Sequence, residues 1–127
     1  MVADLGPAGW AASVGAVPTA AFTITKLAWI AHHEPKLIAQ TRHMLLPHDW
    51  LTWKLTGDPV TDRSEASGTR YYAAHEGRYL PEHLQRWVHP DLDWDSIVPR
   101  VLAPDEPAGQ GPVRNPVGPG QGCAVWV

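Results

Sequence analysis

The chain has 127 residues, 44% of them hydrophobic, which is enough for one domain with a real core and rules out a disordered composition. Its formal net charge of −3 offers no electrostatic footprint for nucleic acid or an anionic membrane, and its single cysteine, Cys123, excludes an internal disulfide and a cysteine-ligated zinc site. No stretch reaches the roughly 18–20 apolar residues of a membrane span, and no basic segment followed by an apolar run marks a signal peptide, so the expected compartment is the reducing cytoplasm.

Residues 7–14 predict a short helix, with Pro7 at its first position, Gly15 at its stop, and Trp10 and Val14 four apart on one face. Asp4-Leu5-Gly6 has a superficial likeness to a phosphate loop, but no strand precedes it. Residues 17–23 are a connector of small and β-branched residues. A second helix is expected over 25–33, with Leu27, Ile30 and Ala31 at helical spacing. Pro35 ends it and opens a third helix, 35–40, expected to bury Leu37 and Ile38.

The stretch from His48 to Thr69 organises the rest. Before it, the apolar run 43–46 has the length of a strand. Asp49 is the expected N-cap of a helix over 49–55, with Leu51 and Leu55 sharing a face, and Gly57 closes that helix. A short extended piece follows, then a loop of small and hydroxyl-bearing residues, 61–69. Residues 70–73 predict a strand with a turn at 75–78, residues 81–88 a helix, 91–98 a short irregular or helical piece, and 100–102 a last extended segment. Helices dominate, and the strands are too short and too irregularly spaced for a full parallel sheet. From Ala103 onward the chain is a Gly/Pro-rich, low-complexity tail.

Three segments carry a resemblance: AFTITKLAWIAHHE at 21–34, LLPHDWLTWKLTG at 45–57 and VTDRSEASGT at 60–69. Together, in this order and spacing, they resemble the FGGY family of carbohydrate kinases, most closely its xylulokinase branch, and IVPRVLAPDEPAG at 97–109 continues the likeness. The resemblance implies an α/β fold: a fragment of a ribonuclease-H-like (actin-like) sugar kinase N-terminal domain, mostly helices with a few short strands. It implies ATP-dependent phosphorylation of a sugar hydroxyl with Mg²⁺, on a ketopentose or similar polyol. The family's phosphate loop and catalytic aspartate loop have no match in these residues. The resemblance therefore implies a truncated, inactive piece over 1–109, binding no ATP or Mg²⁺ itself, followed by an off-family, disordered tail over 110–127. No oligomeric state follows. Two other readings stay open: a non-catalytic helical binding or regulatory module, and a sister kinase acting on ribulose or gluconate.

No residue is expected to be catalytic and no metal site is expected. His32 and His33 are adjacent on a helix and point in different directions. The substrate-side residues implied by the resemblance are Ala21, Phe22, Thr23, Ser67 and Thr69. Ala21 stands where glycerol kinases carry a tyrosine against the substrate, and the smaller side chain leaves room for a longer sugar. The competing reading of 21–23 is a packed connector. For 61–69 it is a structural turn capped by Asp62 and Ser64, which is the favoured one. Glu65 and Ala74 stand where the family has aspartate, so no role is carried onto them. Lys26 reads as a solvated or paired helix lysine. Trp29, Trp50, Trp53 and Trp87 read as core and inter-helix packing.

Overall fold

Proline and glycine set most element boundaries. A computed structural model describes residues 1–111 and 123–125. Helix α1 runs Val2–Val14, with a non-helical Gly6 ahead of Pro7 and a left-handed Gly15 after it. It therefore begins earlier than the expected helix, with a kink where the proline-led portion starts. Helix α2 is Thr23–His33, and α3 is Pro35–Ala39, opened by its proline. Helix α4 is Pro47–Thr56, closed by Gly57 at φ 84, whose N–H donates to the Trp53 carbonyl at 2.8 Å. A Cβ on Gly57 would meet no atom within 4 Å, so glycine is required there by the left-handed backbone rather than by crowding.

Strand β1, Val60–Thr61, leads into α5, Arg63–Gly68. Strands β2, Tyr72–Ala73, and β3, Arg78–Tyr79, form an antiparallel hairpin, followed by α6, Pro81–Trp87, and α7, Trp94–Ile97. Strand β4, Arg100–Val101, lies parallel to β1, with Val60 opposite Arg100. Strands β5, Gly109–Gly111, and β6, Cys123–Val125, pair antiparallel. Most of the expected disordered tail, 110–127, falls outside the described residues.

The core gathers residues from α1, α2, α3, α6, α7 and the hairpin. Trp10 and Val14 of α1, Ile24 and Leu27 of α2, Ile38 of α3, Tyr71, Leu84 of α6 and Trp94 and Ile97 of α7 form one buried cluster. Val60, Leu102 and Ala108 form a smaller one around β1 and β4. Removing this apolar surface from water at ~25 cal/mol per Å² is the main stabilising term.

Several expectations are corrected. The run 43–46 is not a strand: it is an extended connector whose Met44 N–H donates to the Ile97 carbonyl at 2.9 Å, with no partner strand beside it. Asp49 is not the N-cap. Pro47, with its fixed φ and absent N–H, takes the first helical position, so Asp49 falls at the third, and its Oδ2 accepts from the Leu46 N–H at 2.9 Å. The buried face of α4 holds Asp49 and Thr52, while Trp50, Leu51 and Leu55 are exposed. Trp29 and Leu37 are also exposed. Leu37 and Ile38 are neighbours on a helix, so burying one turns the other to solvent. Trp87 does pack on the core.

Buried His83 packs edge-on against two indoles that also touch each other, its ring 5.0 Å from Trp10 and 5.1 Å from Trp87. Burial holds its imidazole below the ordinary histidine value; Glu82 opposes this and Arg86 adds to it. A depressed histidine binds its proton more readily in the unfolded chain, so its contribution is complete above the unfolded value of about 6.5 and is lost as pH falls from there through the folded one. The thermal midpoint is therefore expected to drop between about pH 7.5 and pH 5.5. His83→Gln should remove most of that slope, and equal slopes in both proteins would refute the assignment.

Candidate functional site

The two loops that the sequence points to are brought together. Phe22 is the N-cap residue of α2, extended at φ −82 and ψ 153, and its N–H donates to the Thr19 carbonyl at 3.1 Å. Thr25, one turn on, donates its hydroxyl to the Thr19 and Phe22 carbonyls, both at 2.7 Å, which folds the 19–22 turn back onto the helix start. Ala21 is exposed, and its N–H lies 3.4 Å from Thr19 Oγ1, within its own turn; Thr23 is half-buried as the first residue of α2.

The other loop is not a loop. Asp62 caps α5, its Oδ1 accepting from the N–H groups of Ser64 and Glu65 at 2.6 and 2.9 Å. Ser64 lies within the helix and does not share the cap. The small residues allow the turn to pack closely, with Ala66 buried. Ser67 donates its hydroxyl to Arg63 O at 2.6 Å, and buried Thr69 donates its own to Ala66 O at 2.5 Å. Both hydroxyl protons are thus used locally, as the structural reading of this segment requires, while their oxygens keep accepting capacity.

Two contacts join the segments. The Ile24 N–H donates to the Thr69 carbonyl at 3.1 Å. Arg70 lays its guanidinium over the Phe22 ring, 4.1 Å from the centroid, and donates from Nη1 to the carbonyls of Val14, at 3.3 Å, and Ser67, at 3.2 Å. One side chain therefore ties the end of α1, the start of α2 and the end of α5. Arg70 is the only non-glycine with positive φ among the described residues, at 64°. Sequence reading passed over it. The signal available was an arginine immediately after the Gly68-Thr69 exit of a short helix, but its backbone conformation and its partner 48 positions earlier were not readable.

Beside this junction lies a cleft of about 370 Å³, lined by Ala20, Thr25, Lys26, Trp29 and Ile30. Its walls are largely apolar, with the exposed Trp29 stacked on His33 at 4.2 Å and the Lys26 ammonium as its charged group. An aromatic wall beside a cation is able to hold the C–H face and hydroxyls of a polyol. A larger groove of about 630 Å³ runs beneath the hairpin, away from the predicted residues. Among the described residues, no three His, Cys, Asp or Glu side chains stand together as metal ligands. No helix among them is long and apolar enough to cross a membrane.

Solved structures share the fold. The chain superposes on the xylulose kinase of Bifidobacterium adolescentis with a TM-score of 0.78 and 30% identity, over 91% of this chain and 28% of that one. It superposes on the corresponding kinase of Brucella ovis with a TM-score of 0.74 and 30% identity, over 87% and 22%. The class is thus a ribonuclease-H-like sugar kinase, and the chain is a segment of its N-terminal domain. In sequence, the chain is 46% identical over 110 residues to the xylulose kinase of Streptomyces rubiginosus, covering 86% of this chain but only 22% of that protein. Residues 9–112 match the N-terminal domain of the FGGY family of carbohydrate kinases, and the chain belongs to that family.

Proposed function

We propose that this chain is a sugar-side segment of an ATP-dependent kinase acting on xylulose or a closely related ketopentose, in the cytoplasm. The observation that carries the reading is the 46% identity to a xylulose kinase across 86% of the chain. Phosphoryl transfer works by positioning the acceptor hydroxyl, neutralising phosphate charge and accepting a proton. The residues here serve the first of these tasks. Ala21, Phe22 and Thr23, with Ser67 and Thr69 across the junction, form one edge of the sugar pocket, and the absence of a ring at Ala21 favours a substrate longer than glycerol. The nucleotide, its Mg²⁺ and the proton acceptor belong to parts of such a kinase that these 127 residues do not match. The outward apolar face of α4, with Trp50, Leu51 and Leu55 exposed, supports a segment that packs against more of its own domain.

The test has two arms on the purified 127-residue chain. With ATP, Mg²⁺ and D-xylulose, no sugar phosphate is expected above a boiled control; measurable turnover would overturn the assignment of the catalytic groups to other parts of the kinase. In amide NMR, D-xylulose at millimolar concentration is expected to shift the resonances of Phe22, Ser67 and Arg70, while ATP leaves them in place. Shifts confined to the hairpin groove instead would sink the placement of the sugar edge.

A further inference from the structure

The polar interior beneath Thr69 holds the clearest unassigned feature. Asp49 is 1% exposed, and Thr61 likewise 1%. Asp49 Oδ2 takes the Leu46 N–H. Its Oδ1 lies 3.0 Å from His48 Nδ1, yet neither atom makes a well-directed hydrogen bond, and Thr61 Oγ1 has no protein partner either. A buried carboxyl oxygen and a buried hydroxyl left without a partner both carry a desolvation penalty that a bound water would offset.

Both residues line the same small cavity, of about 10 Å³, closed by Met44, Thr69, Tyr71 and Tyr79. A cavity of roughly 10–15 Å³ with two or more polar partners is what one internal water needs. Two of the neighbouring hydroxyls already have acceptors. Thr69 donates to Ala66 O, Tyr79 donates to Pro99 O at 2.9 Å, and burial raises the Tyr71 and Tyr79 phenols well above their ordinary range, so both stay neutral. The cavity presents the unpartnered Asp49 Oδ1 and the unpartnered Thr61 hydroxyl at its walls. That pair calls for a ligand able both to accept and to donate, and too small to be anything but a single water.

We propose that this cavity is a binding site for one long-lived structural water, which accepts from the Thr61 hydroxyl and donates to Asp49 Oδ1. The water links the start of α4 to β1 directly below Thr69, and so underpins the floor of the junction with α2. The site depends on the polar interior alone and stands whether or not the sugar reading does.

Oxygen-17 magnetic relaxation dispersion on the purified chain counts internal waters. Thr61→Val is expected to lose one long-lived water relative to the parent, and Thr61→Ser to keep it. An unchanged count in a folded Thr61→Val overturns the proposal. Should that variant fail to fold, the parent protein alone decides: water–proton cross-relaxation to the Thr61 methyl with the sign of a long-lived water is expected, and its absence overturns the site.

Discussion

Trp10→Ala is expected to cost about 3–5 kcal/mol, the range for deleting a fully buried large aromatic. Trp10 is 0% exposed, with its ring 4.7 Å from Trp87 and 5.0 Å from His83. The deletion removes apolar burial and leaves a cavity between α1 and α6 that the flanking helices cannot collapse into without moving Leu84 and Trp94, which are themselves buried. For a domain with only ~5–15 kcal/mol in total, this takes away a large share of the folded state. Urea unfolding followed by circular dichroism reads the effect as a lowered midpoint or a lost cooperative transition. Trp50→Ala is the control. Trp50 is 48% exposed on α4, and its loss is expected to stay within about 0.5 kcal/mol. Equal effects at the two positions would show that Trp10 does not hold the core together.

Arg70 gives the second large effect, and its two variants separate side chain from backbone. Arg70→Ala removes the contact with Phe22 and the hydrogen bonds to Val14 O and Ser67 O, and keeps a left-handed backbone on a residue with a Cβ. Allowing for its partial exposure, a loss of about 1–3 kcal/mol follows. Arg70→Gly loses the same contacts but relieves the φ of 64°, so it is expected to be less destabilised than Arg70→Ala by about 1 kcal/mol. In both, hydrogen exchange at the Ile24 amide, which bonds Thr69 O, should quicken more than exchange at the α6 amides. An order reversed between the alanine and glycine variants would refute the backbone part of the argument. Uniform quickening would refute the role of Arg70 in joining the two loops.

The helices were legible because their determinants are local. Pro7, Pro35 and Pro81 open helical portions, Gly15 and Gly57 close two, and the 3.6-residue spacing of Trp10 with Val14 marked a face that is buried. The hairpin was legible from Tyr71-Tyr72 and the turn that follows. Sequence also carried the family, through three short segments in a fixed order.

Which face of a helix is buried was another matter. In α4 the leucines point outward and Asp49 with Thr52 points in, against the pattern that hydropathy alone favours, because α4 meets the polar cavity by Thr61 rather than the apolar core. The 61–69 segment holds the last residue of β1 and the helix α5 where composition reads as loop, because Val101 supplies Thr61 with a parallel neighbour 40 positions away and Asp62 supplies a cap. Thus the amino-acid sequence by itself determined the family and, through its prolines and glycines, where several helices open and close, because those signals act within a few residues. Only the tertiary structure decided that Phe22, Thr69 and Arg70 meet, since burial and long-range pairing depend on which surfaces the packed helices leave free.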